Sequence, residues 1–149
     1  MSTAIPVDAP VARQPQLKAL CQQQLAELAA TTEGVRVAIV ASSDGFPLAS
    51  LQLEPQESRR ITAMGAALSA LSQRIVQELA LSSLEGTTVE TAQGLVLCRQ
   101  IPNSVTPMVL LVVTGESVNY GYAQWAVKHA ARRLSESLNE LGARPASNL

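Results

Sequence analysis

Few residues in this chain could carry acid–base or nucleophilic chemistry. The sequence contains one histidine, His129, and no nucleophile adjoins it. A general base acts on a proton within hydrogen-bond reach, and a covalent mechanism needs a nucleophile beside such a base. We therefore interpret His129 as a solvated helix residue rather than a general base, and we predict that the protein is not an enzyme.

The two cysteines, Cys21 and Cys98, are far apart and lack the spacing of metal ligands. We interpret both as buried thiols of a reducing compartment rather than as a disulfide. Ser43-Asp44-Gly45 is typical of a turn rather than of a catalytic site, and no phosphate-binding loop of the Walker type is present. The sequence therefore predicts no metal, no cofactor and no bound GTP.

The aromatic residues are concentrated near the C-terminus. Tyr120, Tyr122 and Trp125 are three of the four in the chain. A helical projection places Tyr122, Trp125 and His129 away from the apolar stripe of their helix. This cluster is either a patch that binds a partner, since aromatic side chains anchor interfaces, or a set of rings packed sideways on the first helix. We prefer the second interpretation and keep the first open.

Composition excludes several classes of partner. The net charge is −1 and no run of lysine or arginine occurs, so nucleic-acid binding has little electrostatic support. No apolar run approaches the roughly 20 residues of a membrane span, and the N-terminus lacks the pattern of a signal peptide. We expect a cytoplasmic protein with a single domain over residues 16–142, flanked by tails at 1–15 and 143–149.

Two runs of β-type residues surround a turn and predict a hairpin. The segment from Val35 to Leu53 passes through Asp44-Gly45, where glycine supplies the positive φ of a tight turn. Apolar spacing predicts a helix from Gln16 before it and a long helix from Pro55 to about Leu81 after it. Strands over 87–92, 95–101 and 108–113 and a last helix after Asn119 follow, and the threonine-rich first of these strands is typical of a sheet edge.

The long helix has two stripes. Large side chains recur at a spacing that predicts a face covering the sheet: Ile61, Met64, Leu68, Leu71, Ile75 and Leu79. Small residues form the second surface: Ala63, Gly65, Ala66, Ala67 and Ala70. A helix that is apolar on nearly every side should be buried on nearly every side. We predict that a second copy covers the small surface, although the first helix or a terminal segment could also cover it. On this interpretation, Gly65→Leu would force two paired helices apart.

The chain resembles the Roadblock/dynein light chain family over roughly residues 17–141. The similarity lies in the hydrophobic strand followed by Asp44-Gly45-Phe46-Pro47-Leu48-Ala49, and in the helix rich in alanine and leucine after it. The resemblance implies a Roadblock/profilin-like α+β fold in the order α-β-β-α-β-β-β-α. In that fold a five-stranded antiparallel sheet carries the long helix on one face and the other two helices on the opposite face.

The resemblance also implies a homodimer in which the long helices pack together and the third strands join the two sheets. The strand residues at that junction would be Thr87, Thr88, Val89, Glu90 and Thr91. Family members typically regulate or scaffold small Ras-like GTPases or bind motor components, and from this resemblance we expect a non-enzymatic homodimeric adaptor for such a GTPase. The alternatives are a small-molecule sensor, with a polar cavity beneath the first hairpin, and a structural subunit of a larger assembly.

Overall fold

An antiparallel sheet of five strands, in the order β2-β1-β5-β4-β3, forms the centre of the protein. A computed structural model describes residues 14–102 and 107–143. The elements are α1 (Gln14–Thr31), β1 (Val35–Ser42), β2 (Pro47–Leu51), α2 (Pro55–Glu78), β3 (Gly86–Thr91), β4 (Gly94–Gln100), β5 (Met108–Thr114) and α3 (Tyr120–Ala143). This order and the α+β class confirm the predicted fold.

The β1–β2 hairpin forms at the predicted turn. Gly45 has a φ of +95°, and its N–H donates to the carbonyl oxygen of Ser42 at 3.0 Å. Pro47 is the first residue of β2, a position where the missing N–H removes no hydrogen bond inside a strand. The turn chemistry of Asp44-Gly45 therefore fixes the start of the sheet.

The two faces of the sheet are covered unequally. Helices α1 and α3 cover one face, where leucines such as Leu17, Leu25, Leu110 and Leu138 form the larger apolar core. Helix α2 covers the other face above a smaller cluster of buried residues: Ile39, Ala41, Cys98, Val109 and Leu111. This division into layers confirms the predicted arrangement of the helices.

Helix α2 turns a narrow stripe toward the sheet. Its buried residues are Ser58, Thr62, Gly65 and Ser69, which recur at intervals of three and four. A Cβ atom built on Gly65 would lie 2.9 Å from Cδ1 of Leu111. Small side chains thus let the helix axis approach a sheet whose own branched side chains fill the space between them.

The prediction that the large side chains of α2 cover the sheet and its small residues face outward is therefore wrong. Gly65 lies against the sheet instead of on the outward surface. Four of the large side chains predicted to cover the sheet are 55–64% exposed: Met64, Leu71, Ile75 and Leu79. Only Ile61 and Leu68 of that stripe pack on the buried cluster. The physical reason is that Ile39, Val109 and Leu111 already occupy the volume beneath the helix, so the less bulky stripe fits there.

Strand β3 lies at the edge of the sheet, as its polar sequence predicted, and pairs only with β4. The β3–β4 turn is held tightly to the rest of the sheet. Gly94 has a φ of +147°, and a Cβ atom built there would lie 1.9 Å from the carbonyl oxygen of Thr114 in β5. Only glycine fits this contact, and the N–H of Leu95 beside it donates to the Thr114 hydroxyl at 3.3 Å, which ties the β3–β4 turn to the central strand.

The predicted tails at 1–15 and 143–149 lie almost entirely outside the described residues. Of these segments the structure describes Gln14, Pro15 and Ala143, all of them in helices. Pro15 occupies the first turn of α1, where a proline is tolerated because no intrahelical N–H bond is lost there.

The corrected orientation of α2 changes the expected effect of enlarging Gly65. We expect Gly65→Leu to lower the free energy of unfolding of the protomer by about 1–3 kcal/mol, because the new side chain overpacks the contact with Leu111. Urea denaturation measures this change. Ala26→Leu is the matched control: Ala26 is exposed on α1, away from α2, so unfolding should be nearly unchanged. Equal destabilisation by both variants would contradict this orientation of α2.

Candidate functional site

Exposed apolar side chains lie along α2 and on the edge strand. We name this set of residues the α2–β3 surface. Its large members are Met64, Leu71, Ile75, Leu79, Leu81 and Val89. Val89 belongs to it because its strand partner Val96 packs on the cluster beneath α2, which places both side chains on that face of the sheet. Exposed apolar clusters of this kind mark interaction sites in soluble proteins.

The free edge of β3 presents unpaired backbone groups. Beside the strand, the carbonyl oxygen of Glu85 accepts the N–H of Gln100 at 2.9 Å, so the backbone of Glu85 points toward β4. Backbone groups alternate in direction along an antiparallel strand. Gly86, Thr88 and Glu90 consequently direct their N–H and C=O groups to the open edge, where another strand could pair with them.

The predicted interface residues on α2 separate into three groups. Ala63, Ala67 and Ala70 are exposed, Ala66 is partly buried, and Gly65 is fully covered by the sheet. A Cβ atom built on Gly45 would lie 3.6 Å from the Cβ of Ala66, so this alanine lies beside the hairpin turn.

The strand residues of the predicted interface all lie on edge strand β3. Thr87 and Thr88 are partly buried, whereas Val89, Glu90 and Thr91 are exposed. The Thr88 hydroxyl accepts a hydrogen bond from Nε2 of Gln124 in α3 at 2.8 Å. Side chains alternate along a strand, so Thr88 and Glu90 lie on the α3 side of the sheet and Val89 on the α2 side.

A stack of three rings, which we name the aromatic patch, runs along α3. The centroids of Tyr122 and Trp125 are 6.2 Å apart, and those of Trp125 and His129 are 5.2 Å apart with ring planes only 5° from parallel. Trp125 is 60% exposed. The rings therefore stack on one another along the helix and leave an aromatic surface open to solvent.

The aromatic patch borders a groove between α1 and α3. Trp125 and His129 line it, and an ion pair between Glu27 and Arg133 joins the two helices there. The Tyr122 hydroxyl lies 3.5 Å from the carbonyl oxygen of Thr31 at the end of α1. The groove has a volume of about 180 Å³. The predicted contact with α1 is thus present at the borders of the patch, while the ring faces remain accessible.

A basic cleft between β4 and α3 has no counterpart in the sequence analysis. Arg99, Lys128 and Arg132 line it together with Glu85, and a guanidinium nitrogen of Arg99 lies 3.7 Å from a Glu85 carboxylate oxygen. These cations come from separate elements, so no local motif in the sequence could have revealed them. The spacing of Lys128 and Arg132 by four residues on a helix was the only local signal.

The described residues offer little for catalysis. His129 is stacked on Trp125 and exposed, and both cysteine side chains are buried and free. Burial raises the pKa of the Cys21 thiol to about 12 and that of the Cys98 thiol to about 11. In residues 14–102 and 107–143, no group of three metal-ligating side chains occurs, and none of the helices has the length and hydropathy of a bilayer span.

The space beneath the first hairpin is too small for a metabolite. Ile39, Thr62, Gly65 and Leu111 line it, and it holds about 10 Å³. This volume is close to the minimum for one water molecule. An open groove of about 580 Å³ runs along β2, past Phe46, Ala49 and Lys18. The described residues form no enclosed polar cavity between the hairpin and α2, which is where a small-molecule sensor would need one.

Comparison with known proteins identifies the family. The sequence model of the Roadblock/LC7 domain matches residues 21–114, which extend from α1 to the end of β5. The chain belongs to the Roadblock/LC7 domain family. Its characteristic strand and turn, ending in Pro47-Leu48-Ala49, fall inside the matched segment.

Relatives and solved structures agree with this assignment. The chain is 29% identical over 103 residues to the uncharacterised protein MJ0714 of Methanocaldococcus jannaschii, covering 69% of this chain and 84% of the relative. A Roadblock/LC7 domain from Streptomyces avermitilis has a TM-score of 0.71 at 14% identity, covering 78% of this chain and 96% of that one. The gliding protein MglB from Thermus thermophilus has a TM-score of 0.67 at 17% identity, covering 94% and 98%. At these identities the two structures establish the shared fold.

We expect the thiols of this Roadblock/LC7 domain to resist alkylation at pH 8, because burial keeps both of them protonated. Iodoacetamide labelling followed by mass spectrometry measures the rate, and the same protein in denaturing urea is the control. The thiols bind their protons more tightly in the folded state than in the unfolded state. The free energy of unfolding should therefore decrease as the pH rises above about 9. Labelling at equal rates with and without urea would show that the thiols are accessible in the folded protein.

Proposed function

We propose that two copies of this chain associate through the α2–β3 surface to form a homodimer. The observation that supports it best is the exposure of Met64, Leu71, Ile75 and Leu79 on the outward side of α2. Burying these side chains against a second copy would remove apolar area from water, at about 25 cal/mol per Å². The free edge of β3 lies next to this face and supplies backbone hydrogen-bonding groups for the same association.

The dimer would act as a non-enzymatic adaptor that binds and regulates a small Ras-like GTPase. Membership of the Roadblock/LC7 family and the likeness in fold to the gliding protein MglB support this function. Regulation would be positional: contacts with the adaptor would order the GTPase's own catalytic groups. We assign no arginine finger, because solvation accounts for exposed residues such as Arg59, Arg60 and Arg132.

The aromatic patch is our candidate for the GTPase-binding surface. Tyr122, Trp125 and His129 lie on the α3 side of the sheet, opposite α2, so they would stay accessible when two α2 helices pack together. Exposed aromatic side chains are enriched among the residues that dominate binding energy. The dimer would therefore present two copies of the patch.

Light scattering tests the dimer. We expect wild-type protein to have the mass of a dimer and Leu71→Glu to have that of a monomer, because the variant would bury two carboxylates in an apolar interface. Phe46→Glu is the matched control, since Phe46 is an exposed apolar residue at the β1–β2 turn, outside the α2–β3 surface. A dimeric Leu71→Glu variant, or a monomeric wild type, would refute association through this face.

Binding of the GTPase can be followed through the single tryptophan of the chain. We expect the Trp125 emission to shift to shorter wavelength when a cognate GTPase is added, because its exposed ring would leave water. Trp125→Ala should weaken capture of the GTPase from native lysate by about tenfold, the effect of losing one strong aromatic contact. Recovery of no small GTPase, together with unchanged GTP turnover in candidate GTPases, would contradict the adaptor function.

A further inference from the structure

We propose that Arg99 reaches across Gly86 to form an ion pair with Glu90 of the partner subunit, and that this pair sets the register of the β3–β3 junction. The inference rests on the proposed homodimer. It specifies which of several alignments two β3 strands adopt, and it gives a function to the basic cleft on the α3 side of the sheet.

Arg99 lies on β4 directly beside the first residue of β3. Arg99 is the register partner of Gly86 across β4 and β3. A Cβ atom built on Gly86 would lie 3.5 Å from Cδ of Arg99, so the arginine stem lies over the glycine backbone on the α3 side. Because glycine has no side chain, nothing at this position blocks the path from the guanidinium to the open edge.

The charged side chains that line the cleft around Arg99 are mainly cationic. Lys128 and Arg132 accompany Arg99 there, and Glu85 is the one acidic residue among the described lining residues. The Arg99 side chain is only 18% exposed, but that of Glu85 is 78% exposed and the two charges are 3.7 Å apart, so water reaches the carboxylate and weakens this ion pair. The cleft thus has an excess of positive charge at the edge where a second copy would bind.

Glu90 supplies the complementary charge. It is exposed on β3, on the same side of the sheet as Thr88 and Gln124. Within the described part of the chain Glu90 takes part in no ion pair. A carboxylate near the other end of the edge strand therefore matches a cationic cleft near its beginning, which is what an antiparallel pair of identical strands requires.

Strand geometry selects one alignment. Two β3 strands related by a two-fold axis at Thr88 would pair Gly86 with Glu90 of the partner subunit, and both residues direct their backbone groups to the open edge. With strands about 4.8 Å apart, the Cα atoms of Arg99 and that glutamate would be separated by roughly 10 Å, which their extended side chains can span. Axes at Thr87 or Val89 would place the glutamate opposite Leu84 or Thr88, out of line with Arg99.

Charge reversal provides the test. We expect Arg99→Glu and Glu90→Arg each to weaken self-association about tenfold or more, because each places like charges together twice in the dimer. An equimolar mixture of the two variants should form heterodimers with a dissociation constant within about threefold of the wild-type value. In the heterodimer, one of the two junction pairs is the original Arg99 with Glu90. The other pair has glutamate at position 99 and arginine at position 90, so it also joins opposite charges. Analytical ultracentrifugation measures the four dissociation constants, those of the wild type, the two variants and their mixture.

Arg36→Glu and Glu33→Arg are the matched controls, because both residues are exposed, Arg36 in β1 and Glu33 in the turn before it, away from β3 in the strand order. Neither control should change self-association. Circular dichroism checks folding; if Arg99→Glu does not fold, a double-mutant cycle with Arg99→Gln and Glu90→Gln replaces it, with a coupling of at least about threefold expected.

The outcomes separate this inference from the proposed dimer. A dimeric wild type whose charge-reversed variants do not recover on mixing would overturn the ion pair and leave the dimer intact. Sensitivity to Arg99→Glu without sensitivity to Glu90→Arg would also overturn it, since the cleft would then hold some other anion. A monomeric wild type would remove the homodimer itself.

Discussion

The close approach of α2 to the sheet is the constraint on which the rest of the structure depends. The residues of α2 that face the sheet have small side chains: Ser58, Thr62, Gly65 and Ser69. The large apolar side chains at this contact belong to the strands beneath them. Close packing of a helix on a sheet requires small side chains on one surface wherever the other surface carries large ones. Because the stripe of small residues faces the sheet, the large apolar residues of α2 lie on the outward side of the helix.

This arrangement gives the protein two unequal halves. The α1 and α3 side has a continuous leucine core and is closed by contacts between helices. The α2 side has a thin core, and three of its buried hydroxyls, those of Ser58, Thr62 and Ser69, have no hydrogen-bond partner in the described structure. Such groups cost stability when they are desolvated. The core between the sheet and helices α1 and α3 therefore contributes most of the stability of the folded protomer. The α2 side is suited to association.

Much of the fold was predictable from the sequence because its signals are local. Asp44-Gly45 specified the hairpin, Pro55 marked the start of the long helix, and the threonines of β3 indicated an edge strand. The motif in the first hairpin also indicated the family that the sequence model confirms. Each of these features depends on neighbouring residues alone.

The orientation of α2 was not predictable in the same way, because both of its stripes have helical spacing and both are apolar. The choice between them is made by Val109 and Leu111, which lie in β5, far from Gly65 along the chain. The basic cleft depends likewise on strand register, which brings Arg99 over Gly86 and beside α3. Features that arise from two distant elements cannot be found from the spacing within either one.

The contact of Gly94 with the Thr114 carbonyl oxygen also affects how association would proceed. A strand that had to become ordered on binding would lose backbone entropy of about 1–2 kcal/mol per residue. Here the N–H of Leu95, next to Gly94, donates to the Thr114 hydroxyl at 3.3 Å, so the turn is anchored to the central strand and β3 is preorganised before any partner arrives. Pairing at this edge would resemble the docking of rigid bodies, with a rate set by collision and orientation rather than by folding of the strand.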